Sequence, residues 1–520
     1  MPWQNKILAA IDIGTNSFHL VVAKVDDKGI MKVLTRDKEV VRLGKSSTDM
    51  KYISEQAMQR GISTLKRFRL ICDSFRAEIR AVATSATREA LNKEEFITRV
   101  FEATEIRIEV VSGFEEARLI YLGVLQALPV YKEKILLIDI GGGSTEFLIG
   151  EKGNVLYANS IKVGAVRLTE KYFSEGKFRK ENIDEARLHV KSIINHIVRD
   201  LKDAGFSAVI GTSGTITNAG MIINAERNPE TDANYNYNNF TYDRKSLNSA
   251  VKKITSCERI SELKSINGMD ADRTDIITAG AVILEQIFSE LNLEKITLSN
   301  YALREGIIFD TINKEHNTLL KEDLGDIRYR SIISLAENCK YDKPHSEHVT
   351  KLALKIFGQI KEQYKLTEKD IEYLEAASIL HDIGHNLSHA QHHKHSYYLI
   401  RNCELLGFND EEIEIIANIS RYHRKSHPKL KHDNFSKLSP KNKERVRKLA
   451  GILRIADGFD RGHNCIIRDV EIELTDAGFE FRVSVNAGTN PELEIWGANM
   501  RKTLFEEAFG KKVIILQVGD

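Results

Sequence analysis

One motif occurs twice in this chain, and its repetition limits the folds that the sequence can adopt. Residues 135–150 read ILLIDIGGGSTEFLIG, which is an apolar strand, a run of three glycines and a second apolar run. Residues 7–25 repeat this order, with DIGT at 12–15 where the later copy has DIGG at 139–142. Two copies of strand, Asp, glycine turn and strand predict a duplicated α/β fold whose two turns face each other across a cleft.

The glycine turn at residues 141–143 suits an anion. Glycines let the backbone approach a ligand and point several N–H groups at one place, most often at a phosphate. Ser144 and Thr145 follow the turn, and Asp139 and Glu146 add carboxylates that suit a divalent metal. The first copy offers Gly14 in the corresponding position. The alternative is a tight turn that needs glycine for its conformation only.

Composition excludes several classes of protein. The chain has 520 residues, enough for three or four domains, and its net charge is +1, so any polyanion must bind at a local patch. Five widely separated cysteines form no CxxC pair, which is typical of reduced thiols in the cytoplasm. The N-terminal apolar run is too short for a signal peptide, and no run could cross a bilayer. We expect a cytoplasmic protein.

Three further segments of the first half are candidates for the cleft. Arg88 follows small residues at a strand-to-helix junction, where a guanidinium and backbone N–H groups can hold an anion. Gly214 and Thr215 lie in a second strand-to-helix turn, GTSGT. Glu115 and Glu116 open a helix, and a glutamate near a phosphate can deprotonate an attacking water. Arg88 also has a simpler interpretation, as part of a capped helix start, and the two glutamates have one as complements to the helix dipole.

These segments together resemble one phosphatase family. The matching stretches are AAIDIGTNSFHLVVA, ATSATREALN, SGFEEARLIYLGV, LIDIGGGSTEF, GTSGT and ALREG. In this order they are similar to the exopolyphosphatase / guanosine pentaphosphate phosphohydrolase family. The resemblance implies an α/β fold of two ribonuclease-H-like lobes, as in sugar kinases, actin and heat-shock ATPases. It also implies Mg²⁺ or another divalent metal as cofactor.

The resemblance also implies roles for individual residues. Glu116 matches the catalytic base, with Glu115 ranked second, and Asp139 and Glu146 match acidic residues near the metal and the water. The phosphate-contacting positions are Asp12, Gly14, Thr15, Asn16, Ser17, Arg88, Gly141, Gly142, Gly143, Ser144, Thr145, Gly214 and Thr215. The residues alone do not decide which glutamate is the base.

Histidines crowd the second half, where helices dominate. His348, then His381-Asp382, then Asp457 follow the order of the HD phosphohydrolase superfamily, which binds one divalent metal with these residue types. The resemblance implies an all-α HD-like domain with a possible second divalent metal near His423 or His395. The neighbouring histidines His389, His392 and His393 are predicted to lie in a solvated loop. In the alternative, the domain is structural and binds no metal.

A basic segment and a short α/β module complete the chain. Residues 421–448 carry eleven lysines and arginines against two acids, with few aromatics, which argues against nucleic acid. We expect Lys441, Lys443, Arg445 and Lys448 to guide polyphosphate, although a solvated face is the usual explanation. The predicted domains are 1–128 and 129–313 for the two lobes, 314–467 for the HD-like domain and 468–520 for a small C-terminal α/β module.

The predicted function is hydrolysis of a terminal phosphoanhydride. Inorganic polyphosphate and guanosine pentaphosphate both present this bond, and the sequence does not choose between them. We expect a homodimer without membrane or nucleic-acid partners. The alternatives are a kinase or ATPase of the same fold, a non-catalytic polyphosphate or alarmone sensor, and chemistry at the HD-like site.

Overall fold

The computed structural model describes residues 6–25, 31–44, 51–229, 235–316, 327–403, 405–475 and 478–517, without the side chains of 313–316 and 327. The chain divides into two units, Met1–Ile327 and Arg328–Asp520. The predicted boundary between residues 313 and 314 lies inside a helix, Leu303–His316.

The first unit begins with a five-stranded sheet. Its strands are β1 (Ile7–Ile13), β2 (Phe18–Val25), β3 (Met31–Glu39), β4 (Glu78–Ala83) and β5 (Ile108–Val110). Their order is β3-β2-β1-β4-β5, with β1 to β3 antiparallel and β4 and β5 parallel to β1. The helices are α1 (Glu55–Phe75), α2 (Ser85–Glu89), α3 (Lys93–Thr104) and α4 (Gly113–Ala127). The apolar side chains of β1 and β2 and the inner faces of α1 and α3 form one core.

A six-stranded sheet follows in the same unit. Its strands are β6 (Ile135–Ile140), β7 (Thr145–Glu151), β8 (Asn154–Ile161), β9 (Ala208–Thr212), β10 (Thr241–Asp243) and β11 (Lys295–Leu298). The order β8-β7-β6-β9-β11 repeats that of the first sheet, as the doubled motif predicts, and β10 is added at the edge. The helices are α5 (Ala165–Tyr172), α6 (Lys180–Ala204), α7 (Ser213–Arg227), α8 (Arg244–Ser256), α9 (Ile260–Leu263), α10 (Ile277–Glu290) and α11 (Leu303–His316). Every residue of β6 is buried, as expected for a central strand covered on both faces.

The second unit is mainly helical. Its helices are α12 (Ile327–Asn338), α13 (Lys343–Ile360), α14 (Glu368–Leu380), α15 (His392–Asn402), α16 (Asp410–Arg421), α17 (Asp433–Ser436) and α18 (Pro440–Gly458). The chain ends with β12 (Ile467–Thr475), β13 (Gly478–Val485), α19 (Glu492–Arg501), α20 (Thr503–Phe509) and β14 (Val513–Gln517). These strands form a sheet in the order β12-β13-β14. One apolar core runs through the helices and this sheet, and so crosses the predicted boundary between residues 467 and 468.

Within the described ranges, none of the helices combines the length and apolar character needed to span a bilayer.

Candidate active site

A cavity of about 340 Å³ opens in the first unit between the two glycine turns. The β1–β2 turn and the β6–β7 turn lie so close that a Cβ on Gly143 would be 2.9 Å from Thr15 Oγ1, and it would also be 2.5 Å from Ser85 Oγ at the start of α2. The predicted residues lining this cavity are Asp12, Gly14, Thr15, Asn16, Ser17, Glu116, Asp139, Gly141, Gly142, Gly143, Ser144 and Gly214. The two turns therefore face each other across one cleft.

The N-terminus of α5 holds the second turn in place. The N–H groups of Ala165 and Val166 donate to the carbonyls of Gly141 and Gly142 at 2.9 and 2.8 Å. A Cβ on Gly164 would lie 2.4 Å from the Gly142 oxygen, so only glycine permits this approach. The turn carbonyls are thus engaged by the helix end, and the exposed backbone of the turn lines the cavity.

Arg167 connects the β6–β7 turn to the side of the cleft that the five-stranded sheet and its helices form. Its Nε donates to the Gly143 carbonyl at 2.8 Å, and its Nη2 lies 2.9 Å from Glu89 Oε1. Glu89 belongs to α2 of the first sheet's layer, and it also pairs with Lys162 at 3.1 Å. The guanidinium of Arg167 therefore links the β6–β7 turn to α2 on the other side of the cleft.

Glu116 lies on the wall of the cavity and is 7% exposed. Ser112 caps α4 by accepting from the Glu115 N–H, which fixes the helix start and turns Glu116 inward. Burial raises the pKa of Glu116 to about 7, although Arg88 opposes this shift from 2.9 Å. A carboxyl with this pKa can accept a proton near neutral pH.

Two more carboxyls share the cavity. Burial raises the pKa of Asp12 to about 7, with the charge of Arg304 acting against it. Asp139 lies at the end of β6, where Thr212 and Ser213 donate their hydroxyls to it. Burial raises the pKa of Asp139 as well. Buried carboxyls with raised pKa values indicate a functional site, since such an arrangement costs stability.

Five predicted residues do not line the cavity. Glu115 turns away and pairs with Arg118 at 2.7 Å, so the structure favours Glu116 over its neighbour. Arg88 is held behind Glu116, while Thr145 donates to the Val163 carbonyl at 2.6 Å. The other two are buried residues, Glu146 and Thr215.

Glu146 nevertheless lies near Glu116 and Asp139. Its Oε1 accepts from Ser160 Oγ at 2.7 Å, and its Oε2 is buried without a hydrogen-bond partner among the described residues. Burial, followed by the charges of Glu116 and Asp139, raises its pKa well above the ordinary value. A buried oxygen of this kind suits a cation.

Sequence reasoning did not assign two arginines that line the cavity, Arg273 and Arg304. Arg273 packs on the turn at the start of α7, where a Cβ on Gly214 would be 1.7 Å from its Cζ. Arg304 lies 3.5 Å from His19. Guanidinium groups are the usual partners of phosphate oxygens. Arg304 lies in the ALREG stretch, which contributes to the family resemblance, but the sequence did not indicate that this arginine lines the cavity.

The helical unit brings together a different set of histidines from the predicted one. His345, not His348, meets His381 and Asp382 as a group of possible metal ligands. His348 is one turn further along α13, and its Nε2 is buried without a partner among the described residues. Asp457 approaches this group, with Oδ1 3.8 Å from His345 Nε2.

The predicted solvated loop is also partly wrong. His392 and His393 are 2% and 9% exposed, because α15 starts at His392 and packs inward. His392 joins Asp382 and the predicted His423 in a second group of possible ligands. The half-buried His395 belongs to none of the candidate groups found in the described chain.

The basic segment is less open than its composition suggests. Arg445 pairs with the buried Asp370, and Lys448 pairs with Glu444 at 2.8 Å. Of the predicted patch, Arg445 and Lys448 are thus engaged with acidic partners, and Lys441 and Lys443 are the other two members. A role for them in guiding polyphosphate stays a prediction.

Comparison with known proteins places this architecture in a family. Residues 21–315 match the Ppx/GppA phosphatase family, and residues 327–502 match domain III of Ppx/GppA phosphatases. The chain belongs to the Ppx/GppA phosphatase family. This confirms the family that the motifs of the first half resemble.

Individual Ppx/GppA relatives agree with this assignment. A guanosine-5'-triphosphate,3'-diphosphate pyrophosphatase of Photobacterium profundum is 31% identical over 452 residues, covering 86% of each chain. The crystal structure of an exopolyphosphatase from Cytophaga hutchinsonii matches with 28% identity and a TM-score of 0.55, covering 59% of this chain and 98% of that one. The Aquifex aeolicus family member matches in fold, with 24% identity, a TM-score of 0.51 and coverage of 60% and 99%.

Proposed function

We propose that the cleft hydrolyses the terminal phosphoanhydride of inorganic polyphosphate. The observation that carries this proposal is the opposition of two backbone turns around one cavity, with Glu116 on its wall. Guanosine 5'-triphosphate 3'-diphosphate is the second candidate, because a relative that covers 86% of the chain is named for it. Both substrates end in the same phosphoanhydride, so the chain is a phosphoanhydride hydrolase in either case.

In the proposed reaction, the turns bind the end phosphate and Glu116 activates water. Backbone N–H groups of the turns and the guanidiniums of Arg273 and Arg304 bind the phosphate oxygens and stabilise charge. The water oxygen bonds to the terminal phosphorus, the bridging P–O bond breaks on the opposite side, and Glu116 accepts the proton. Its pKa of about 7 makes the carboxylate available at neutral pH and still basic enough to act.

The carboxyls fit a divalent cation such as Mg²⁺. Glu146 offers an unpartnered buried oxygen, and Asp139 lies beside it as a neighbouring charge. A bound cation would offset the charge of the phosphates and of the departing oxygen. We propose Asp139 and Glu146 as the residues nearest to it.

The finer architecture is part of the same proposal. The repeated strand order supports two ribonuclease-H-like lobes, 1–128 and 129–313. The helices support an HD-like domain at 314–467, and the three terminal strands support an α/β module at 468–520. A cytoplasmic homodimer without nucleic-acid partners stays a prediction.

Phosphate release from both substrates tests the proposed function. We expect the purified chain to release orthophosphate from polyphosphate and from guanosine 5'-triphosphate 3'-diphosphate, in each case only with Mg²⁺. The ratio of the two kcat/KM values identifies the preferred substrate. Tight binding without release at any metal concentration would indicate a sensor instead, and transfer of phosphate from ATP would indicate a kinase.

Glu146→Gln should stabilise the metal-free protein as pH rises. The folded-state pKa of Glu146 is raised, so the native state of the parent loses stability when pH increases above the unfolded value, by up to about 1.4 kcal/mol per pH unit. Because glutamine cannot ionise, the variant does not show this loss of stability with rising pH. Urea unfolding in EDTA at pH 5 and pH 8 should show a gap between variant and parent that grows with pH. A gap that does not change with pH would show that burial of this carboxyl is not costly.

A further inference from the structure

His19 lines the cavity without a role in the proposed reaction. It lies on β2 between Phe18 and Leu20, whose side chains are fully buried in the core of the five-stranded sheet. Because side chains alternate along a strand, His19 points to the other face. On that face it lies directly opposite Asp12 of β1, which also lines the cavity. The imidazole is therefore held beside the first glycine turn.

The imidazole of His19 contacts the hydroxyl of Ser17, at the end of the β1–β2 turn. Its Nε2 lies 2.8 Å from Ser17 Oγ. Ser17 also lines the cavity and is 6% exposed. In the part of the chain that the structure describes, this Oγ has no other hydrogen-bond partner. A hydroxyl has one hydrogen and two lone pairs, so the direction of this hydrogen bond decides what Ser17 offers to a ligand.

The ring of His19 is neutral. Burial lowers its pKa well below the ordinary value, and the charges of Arg304, Lys38 and Arg273 lower this pKa further. A neutral imidazole has one N–H group and one nitrogen with a lone pair. The position of the lone pair therefore also fixes the position of the proton.

Arg304 decides where the lone pair lies. Its Nη1 is 3.5 Å from His19 Nδ1, on the side of the ring away from Ser17. A guanidinium only donates hydrogen bonds, so Nδ1 carries the lone pair and Nε2 carries the proton. The N–H group of His19 therefore donates to Ser17 Oγ.

The helix end that carries Arg304 is fixed by its neighbour. Arg304 lies in the first turn of α11, which contacts β1 and β2. Its Nη2 is 3.9 Å from Oε1 of the fully buried Glu305, and Glu305 Oε2 accepts from the Ala302 N–H at 3.1 Å. The guanidinium is thus held where it both lines the cavity and contacts His19.

We propose that His19 is a positioning residue that makes Ser17 a hydrogen-bond donor to the terminal phosphate. Because Ser17 Oγ accepts from His19, its own hydrogen is available to the cavity, where phosphate oxygens are acceptors. The chain of hydrogen bonds runs from Arg304 through His19 to Ser17 and ends on the phosphate. This proposal rests on the proposed function, since it needs a phosphate in the cleft.

The opposite tautomer would give Ser17 a different chemistry. With the proton on Nδ1, the Nε2 atom would accept the Ser17 hydrogen, as histidine does beside a nucleophilic serine. That arrangement would also direct two donors at each other, the His19 Nδ1–H and the Arg304 guanidinium. The contact with Arg304 therefore favours a serine that donates over a serine that attacks.

A double-mutant cycle on phosphate release tests the relay. Ser17→Ala should lower kcat/KM for polyphosphate about 10²-fold, and His19→Leu should lower it about tenfold, because the Ser17 hydroxyl remains but loses its fixed direction. In Ser17→Ala/His19→Leu the loss should equal that of Ser17→Ala alone, since His19 acts only through the hydroxyl. Losses that multiply in the double variant would overturn the proposal.

His19→Gln should rescue most of the activity that His19→Leu loses. The glutamine amide can place an N–H donor where His19 Nε2 lies, whereas leucine has no donor. An equally slow glutamine variant would show that the N–H donor is not what matters, and the proposal would fail. His196→Leu is the matched control, because His196 is an exposed residue of α6 outside the cavity, and it should release phosphate at the parent's rate.

Nuclear magnetic resonance of the full chain measures the tautomer without any turnover. The protein is labelled with ¹⁵N-histidine, and the His19 signals are those that His19→Gln lacks. We expect a protonated Nε2 and an unprotonated Nδ1 at pH 7. A protonated Nδ1 would overturn the proposal even in an active enzyme.

Calorimetry with inorganic phosphate separates this proposal from the proposed function. A parent that releases no phosphate from either substrate would contradict the proposed function, and phosphate affinity then replaces turnover in the cycle. Ser17→Ala and His19→Leu should each weaken phosphate binding, and the double variant should bind as Ser17→Ala does. Equal affinity in the parent and all three variants would overturn the role of His19 and Ser17.

Discussion

Glu116→Gln should bind polyphosphate normally and release phosphate about 10²–10⁴ times more slowly than the parent, the range typical for loss of a general base. Glutamine keeps the shape of the side chain and its contact with Arg88, but it cannot accept a proton. Turnover is measured as phosphate release under saturating substrate, and binding is measured by calorimetry. The loss should appear in kcat, with little change in Kd.

The pH profile adds a second readout for the same residue. Because the carboxylate form is the active one, kcat/KM of the parent should rise about tenfold per pH unit below pH 7 and level off above it. Glu115→Gln is the matched control, since the neighbouring side chain pairs with Arg118 outside the cavity, and it should keep both the rate and the profile. Near-normal turnover of Glu116→Gln, or an equal loss in Glu115→Gln, would exclude Glu116 as the base.

Gly164→Ala should reduce phosphate release about 10²-fold or more and lower the free energy of unfolding by about 1–3 kcal/mol. The added Cβ would lie 2.4 Å from the Gly142 oxygen and 2.5 Å from its carbonyl carbon. Because these are backbone atoms, the turn itself must move, and its N–H groups would lose the alignment that we propose for binding the end phosphate. Steady-state kinetics and urea unfolding of the same preparation measure the two effects.

Gly358→Ala provides the control for this substitution. Gly358 lies inside α13, and nothing lies within 4 Å of a Cβ placed there. The exchange should raise stability by up to about 1 kcal/mol, because alanine favours the helix over glycine, and should leave turnover unchanged. Full activity in Gly164→Ala would mean that the position of the second turn does not control catalysis.

The paired turns could be predicted from the sequence because the motif that forms them is local and occurs twice in the chain. An Asp at a strand end, followed by glycine and small polar residues, specifies a turn by short-range sterics alone. Glu116 differs, because the residues alone did not separate it from Glu115, and its buried position on the capped start of α4 is seen only in the structure. Arg273 and Arg304 reach the cavity from segments far along the chain, and although Arg304 lies in a matching stretch, the packing of the whole unit is what places both side chains there.

The candidate metal ligands of the helical unit show the opposite case. His345 and His348 lie three residues apart on α13, where a helical pattern gives both nearly the same face. The contact with Asp460 beyond α18 selects His345, and no local rule contains it. His392 seemed to be a loop residue because a histidine-rich stretch lacks the apolar periodicity of a helix, yet α15 starts there.

The position of Arg167 has a consequence for how substrate enters. Its guanidinium bonds the Gly143 carbonyl on one wall and Glu89 on the other, and both side chains are about 15% exposed. Any widening of the cleft between the two walls must break one of these bonds and leave a mostly buried charge with fewer partners. A conformer with a wider cleft should therefore be scarce, and the proposed polyphosphate substrate would enter an opening of nearly fixed width.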